Sequence, residues 1–259
     1  MDLHLSNKII VVSGGAKGIG AAIAKGLAAE NALPVIIGRD TADNEKLVAE
    51  IQESGFKADY VTAELSNPDA CKAAIDTILE KYKTIDGLVN NAGANDSVGL
   101  ENGNYDAFMQ SLHKNVVHYY LLAQHALPAL KQSKGAIVNI GSKTGETGQG
   151  GTSGYAAANG ARNALTREWA VELLPYEIRV NAVIVAEAYT PLYKTWISSF
   201  DNPEEKLKTI TDKIPLGKRM TKVDEIADTV LFLLSERSSH TTGQLIHVDG
   251  GYVHLDRSL

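Results

Sequence analysis

The chain has 259 residues, 44% hydrophobic and 22% charged, enough to bury one large core or two small ones. Its net charge of -6 gives no general attraction to nucleic acid or to an anionic membrane surface. The single cysteine, Cys71, excludes an intrachain disulfide framework and suits a reducing compartment.

The opening MDLHLSNKIIVVSGG carries neither a basic n-region nor a cleavage-site pattern, so no signal peptide is expected. No stretch approaches the roughly eighteen apolar residues of a membrane span. A soluble, cytoplasmic protein with no nucleic-acid or membrane partner is the expectation. Cys71 sits among Ala70, Lys72, Ala73 and Ala74, which favours a buried helical thiol over a reactive one.

Lys8 to Val12 is a short apolar run, the mark of a strand buried on both faces. Ser13-Gly14-Gly15-Ala16-Lys17-Gly18-Ile19-Gly20 follows, and a helical pattern runs from Ala21 to Glu30. In that context Gly14 allows the tight turn, Gly18 lets a pyrophosphate approach the backbone, and Gly20 permits close helix–strand packing. The helix N-terminus offers free N–H groups and a positive dipole end to the phosphates. The second strand, Pro34 to Ile37, ends in Gly38-Arg39-Asp40. Where a carboxylate would bind an adenosine ribose, Gly38 has no side chain, and Arg39 with Lys17 supplies positive charge. Both favour NADP, with NAD the alternative and Asp40 a second ribose partner.

Glu45 to Glu53 reads as a helix and Ala58 to Ala63 as the third strand. Asn67-Pro68 opens a helix to Tyr82, capped by Asn67 or Ser66. Ile85 to Asn90 is the fourth strand, and Asn91-Ala92-Gly93 follows with small residues suited to the close passage of a cofactor. Asp106 to Leu130 is helical, interrupted in propensity by Asn115, whose apolar neighbours imply a specific polar partner.

Ala136 to Ile140 is the fifth strand; Ser142 lies just beyond it, and thirteen residues later Tyr155 starts an Ala-rich helix. A serine past a strand end and a tyrosine at a helix start can converge on one carbonyl or alcohol oxygen, the Tyr exchanging its proton and the Ser holding it. Position 159 projects from the same helix face as Tyr155, where a cation would stabilise a phenolate. The residue there is Asn159. Arg179 to Val185 is the sixth strand, and residues 187–218 form an insertion expected to act as a substrate lid. A helix over Asp224 to Leu234 and a last strand within Gly243 to Gly251 complete the pattern. Strands alternate with helical crossovers and no repeat or linker intervenes. The fold class expected is α/β, a Rossmann-type doubly wound parallel sheet in a single domain spanning the chain.

Gly14-x-x-x-Gly18-Ile19-Gly20, Asn90-Asn91-Ala92-Gly93, Asn115, Ser142, Tyr155, Arg179-Val180-Asn181 and Asp249-Gly250-Gly251, in this order, resemble the short-chain dehydrogenase/reductase superfamily. Ser142-Lys143-Thr144, Thr147 to Gly150, Leu165 to Ala170, Thr190 to Tyr193, His240 to Gly243 and the tail Asp249 to Arg257 look like bacterial L-fucose dehydrogenases. The resemblance implies that Tyr155 is the general base and that Ser142 holds the same oxygen. Asn115 would hold a relay water through its backbone. Gly14, Lys17, Gly18, Ile19, Gly20, Arg39, Asn91, Ala92, Gly93, Tyr155, Asn159 and Thr190 would contact the cofactor. Ser142, Gln149, Glu187 and Trp196 would meet a sugar substrate, and no metal is implied. A homotetramer is also implied, pairing the 106–130 and 155–174 helices between subunits, with the tail from Tyr252 reaching a neighbouring site.

One departure is chemical. The superfamily has Lys four residues after the Tyr, and this chain has Asn159. A free tyrosine ionises near about 10, so few would be phenolate at neutral pH without a nearby charge. Lys143 is the first substitute the sequence offers. The expected activity is oxidation of the anomeric hydroxyl of L-fucose or a similar aldose to the lactone. The alternatives are a carbonyl or 3-oxoacyl reductase, and a non-catalytic NADP-binding relative.

Overall fold

A computed structural model describes residues 2–255. Seven parallel strands form one sheet in the order β3-β2-β1-β4-β5-β6-β7, with helices on both faces. The strands are β1 (Ile9–Ser13), β2 (Leu33–Gly38), β3 (Asp59–Thr62), β4 (Gly87–Asn90), β5 (Ala136–Ser142), β6 (Arg179–Val185) and β7 (Leu245–Val248). The nine α-helices of the described residues are α1 (Gly18–Ala29), α2 (Thr41–Glu53), α3 (Pro68–Tyr82), α4 (Tyr105–Leu112), α5 (His118–Ser133), α6 (Ser153–Glu172), α7 (Pro191–Ile197), α8 (Pro203–Thr211) and α9 (Val223–Leu234). The Rossmann-type architecture read from the alternating pattern is the one observed.

Strand alternation divides the core. Ile10 and Val12 pack with Ile23, Leu27, Ile226 and Leu231 on one face of the sheet. Val11 turns to the other, against Ile75, Leu122, Leu130 and Trp169. Each fully buried Ile, Leu or Val contributes roughly 1.5–3 kcal/mol, so a central strand apolar on both faces is the stable solution. Cys71 is fully buried; its Sγ donates to Leu65 O at 3.3 Å, and burial pushes the thiol up to about 11. That makes it an inert core residue.

Boundaries moved where side chains cap the backbone. Helix α2 starts at Thr41, before the expected Glu45, because Asp40 accepts from Asp43 N at 3.1 Å. Asn67, rather than Ser66, caps α3 through Asp69 N at 2.9 Å. The long helix expected over 106–130 is two helices joined by a π-turn, His113–Val117, centred on Asn115. Such turns mark places where a backbone carbonyl is withdrawn from the helix ladder. The 187–218 insertion carries α7 and α8. The last two residues of the compared tail, Asp256 and Arg257, lie outside the described residues. No helix among the described residues is long and apolar enough to cross a membrane.

Candidate active site

The strand order reverses between β1 and β4, so a crevice opens at their carboxyl ends. The glycine turn after β1 forms one wall and Asn91-Ala92-Gly93 the other. Gly14 has φ +63, and a Cβ on it would meet Ala92 Cα at 2.8 Å. Asn91 braces the turn by donating Nδ2 to Ser13 O at 3.0 Å and Gly14 O at 3.1 Å. Ser13 Oγ returns the bond, accepting from Asn91 N at 2.9 Å and Ala92 N at 3.2 Å.

Helix α1 begins here with no side-chain cap and no acidic residue in its first turn, whereas Asp40, Asn67, Asn104 and Thr190 cap α2, α3, α4 and α7. Its first N–H groups have no side-chain cap among the described residues, and such N–H groups are the donor set a phosphate needs. Thr190, beginning α7, lies over the turn: its Cγ2 is 3.3 Å from where a Gly18 Cβ would be. Arg39 is exposed at the end of β2, and Lys17 forms an ion pair with Asp43. Asp40 spends its carboxylate on the α2 cap. The residues present fit a dinucleotide.

A buried polar chain ties the sheet to helix α6. Asn90 Nδ2 donates to Asn139 Oδ1 at 3.0 Å, Asn139 Nδ2 to Thr166 Oγ1 at 2.9 Å, and Thr166 Oγ1 to Arg162 O at 2.8 Å. Ser142 closes β5, is 9% exposed, and accepts from Thr144 N at 3.3 Å and Thr144 Oγ1 at 3.1 Å. The short 3-10 turn after it packs on α6: a Cβ on Gly145 would lie 2.9 Å from the Asn159 carbonyl carbon. Tyr155 is half-buried in the first turns of α6. Ser142 and the Tyr155–Asn159 turn are thus brought to one place by the β5–α6 packing.

Asn159 is fully buried; its Nδ2 donates to Tyr155 O at 2.9 Å. Asn115 Oδ1 accepts from Ala94 N at 2.8 Å and its Nδ2 donates to Ser111 O at 3.0 Å, the polar partners its sequence context called for. Its backbone carbonyl, the group expected to hold a relay water, accepts from Arg162 Nε at 2.7 Å and from Arg162 Nη2. Arg162 Nη1 also reaches Ile140 O at 3.1 Å and Asn159 Oδ1 at 3.0 Å. No sequence reading had marked Arg162. The available signal was its spacing, seven residues after Tyr155 and three after Asn159, which puts a cation on the buried face of that helix.

Lys143, the expected substitute cation, is committed elsewhere. It forms a buried ion pair with Glu187 across the ends of β5 and β6, and its Nζ lies 4.2 Å from the centre of the Tyr252 ring. Glu187 is therefore half-buried rather than a free surface acid. Burial, then the neighbouring Glu187 charge, raise the Tyr193 hydroxyl and keep it neutral. Trp196 is not a core residue. It is 46% exposed on α7, edge-on to Tyr193 at 5.1 Å and to Phe200 at 5.0 Å. Gln149 lies exposed in the loop between β5 and α6. His247 Nε2 meets Glu146 Oε2 at 2.8 Å, while His254 turns its Nε2 to the His247 ring, the planes at 80°.

Residues 14–253 match a family model described as enoyl-(acyl carrier protein) reductase. The 3-oxoacyl-[acyl-carrier-protein] reductase FabG of Thermotoga maritima is 34% identical over 253 residues, covering 97% of this chain and 100% of its own. The chain belongs to the short-chain dehydrogenase/reductase family. The L-fucose dehydrogenase of Mus musculus is 33% identical over 247 residues, covering 95% of this chain and 88% of its own. The solved structure of Cj0485 dehydrogenase superposes with a TM-score of 0.94 at 43% identity, covering 100% of this chain and 99% of its own. Short-chain dehydrogenases/reductases use NAD(P)(H). A second depression lies at the opposite, amino ends of the strands, between Lys8, Asp86, Glu177 and His240. Ligands of such sheets bind at the carboxyl ends, which makes the crevice between β1 and β4 the candidate site.

Proposed function

We propose that this short-chain dehydrogenase/reductase oxidises the anomeric hydroxyl of L-fucose or a similar aldose to the lactone, with NADP as cofactor. The observation that carries the reading is the packing of the Ser142 turn on the Tyr155–Asn159 turn of α6, at the carboxyl end of the sheet beside the glycine crevice. When bound, oxidised nicotinamide supplies the hydride acceptor. Tyr155 takes the hydroxyl proton as the carbonyl forms, and Ser142 donates a hydrogen bond to the same oxygen. The likeness to L-fucose dehydrogenase and the polar lining support a sugar: Lys143–Glu187, Gln149 and the exposed Trp196 face offer hydroxyl partners and an apolar plate for sugar C–H groups. Helices α7 and α8 form the lid over residues 187–218.

Gly14, Lys17, Gly18, Ile19, Gly20, Asn91, Ala92, Gly93, Asn159 and Thr190 hold the cofactor in this reading. NADP is favoured over NAD by the exposed Arg39 and by Asn44, whose side chain fills the space a larger residue at Gly38 would need. The protein works as a homotetramer paired through α5 and α6, which light scattering would test. The test of function is NADPH formation from L-fucose and NADP+, run against NAD+ and a sugar panel. Turnover of a 3-oxoacyl thioester with NADPH, and of no sugar, would replace this reading with the reductase one, which the FabG likeness favours. Tight NADPH binding without any turnover would leave a binding protein.

A further inference from the structure

Arg162 is 3% exposed, and no carboxylate lies in an ion pair with it among the described residues. All its hydrogen-bond partners are neutral: the carbonyls of Asn115 and Ile140 and the side-chain oxygen of Asn159. Its guanidinium carbon stands 4.3 Å from the centre of the Tyr119 ring. Arginine does not shed its proton in a protein, so the charge persists. Burying such a charge without a counter-ion costs several kcal/mol, and an apolar side chain would fill the space without that cost. The cost is explained if an anion forms nearby during turnover.

Other charges facing this region are spoken for. Lys143 is neutralised by Glu187, and Lys114 pairs with Asp96 at 3.5 Å. Glu146 meets His247, and Glu64, whose charge also reaches His118, accepts from Ser66 N at 3.1 Å and Ser66 Oγ at 3.0 Å. His118, next to Tyr119, is held neutral, its pKa lowered to about 4 by burial first and by the Arg162 charge second. Tyr119, which donates to Ile140 O at 3.1 Å, lies within electrostatic reach of both Arg162 and Tyr155.

We propose that Arg162 supplies the positive charge of this active site: a positioning residue that fixes the Asn115 carbonyl and the Asn159 side chain and stabilises the anionic oxygen of Tyr155. Asn159 is then the neutral bridge from the guanidinium to the Tyr155 turn, which explains why position 159 carries no charge of its own. The proposal rests on the reading of Tyr155 as the proton acceptor.

The test separates charge from structure. NADPH formation from L-fucose is followed across pH in the unaltered chain, Arg162→Gln, Arg162→Lys and Tyr155→Phe, with kcat and KM resolved. A second readout needs no substrate: the phenolate absorbance of Tyr155, taken as the difference from Tyr155→Phe during alkaline titration. Arg162→Gln should lose at least about tenfold in kcat at neutral pH, recover at alkaline pH and show the Tyr155 phenolate only at higher pH. Arg162→Lys should keep the parent profile. Should Arg162→Gln not fold, Asn159→Asp sets a carboxylate against the guanidinium and should give the same alkaline displacement. A uniform loss of rate, with neither profile nor phenolate signal displaced in either variant, overturns the proposal while leaving the oxidoreductase reading intact. Undiminished turnover in Tyr155→Phe overturns both.

Discussion

Replacing Asn159 by Lys installs the residue that the resemblance to the superfamily implies there, and on sequence alone it should raise activity. The structure predicts the reverse. Asn159 is fully buried and its Oδ1 accepts from Arg162 Nη1 at 3.0 Å. A lysine ammonium at this position would be held roughly 4–6 Å from the guanidinium. Two like charges at that separation repel by about 3–4 kcal/mol at an effective dielectric constant of 20. Loss of the Arg162–Asn159 hydrogen bond, charged on one side, costs about 1.5–3 kcal/mol more. Outward bending of the lysine recovers part of this, leaving a net loss of roughly 3–5 kcal/mol, or about 10 °C in Tm for a chain of this size. Asn159→Lys should therefore be less stable in calorimetry and no faster at neutral pH. The double change Asn159→Lys with Arg162→Leu, which leaves a single cation, should regain most of the stability. If Asn159→Lys alone melts at the parent temperature and turns over faster, the two positions do not share one charge site and the reasoning fails.

Other outcomes follow from single interactions. Ser13→Ala removes the acceptor shared by Asn91 N and Ala92 N, and should cost about 1–3 kcal/mol in urea unfolding and weaken NADPH binding measured by fluorescence. Gly18→Val, at φ +56 under Thr190, should abolish cofactor binding in the same titration while circular dichroism stays native. His118 has a folded pKa depressed to about 4 against an ordinary 6.5, so its contribution is complete above pH about 6.5 and lost as pH falls from there through about 4. The loss is on the order of 3 kcal/mol, and His118→Gln should flatten that acid limb of the stability curve measured by denaturant. Trp196→Ala, on α7, should under the proposed function raise KM for the sugar several-fold with little change in kcat or Tm, since the Trp196 ring is 46% exposed.

The sheet was legible because its strands are apolar on both faces and its turns carry glycine where the backbone demands it. Lys8 to Val12 with Gly14, Gly18 and Gly20 announces one strand–turn–helix unit, and the repetition of that grammar gives the doubly wound sheet. Boundaries were less legible, since Asp40 starts α2 four residues early by a single side-chain cap. Ser142, Tyr155 and Asn115 could be named from spacing, but their partners could not. Lys143 adjoins Ser142 in sequence, yet the alignment of Ser142 with Val185 in the β5–β6 register sets it beside Glu187 at the strand ends. Arg162, two helical turns from Tyr155, is nearer to it in sequence than Lys143, but spacing alone does not show what its guanidinium meets. Only the packing of α6 against the π-turn at Asn115 turns it inward. A helix positions a charge by its face, so under this proposal Arg162, one turn beyond Asn159, can serve where a cation at 159 would, provided something opposite accepts its hydrogen bonds. Here the withdrawn carbonyl of Asn115 does so. The π-turn, which the sequence showed only as a poor helix former in an apolar stretch, is therefore what makes room for Asn at position 159.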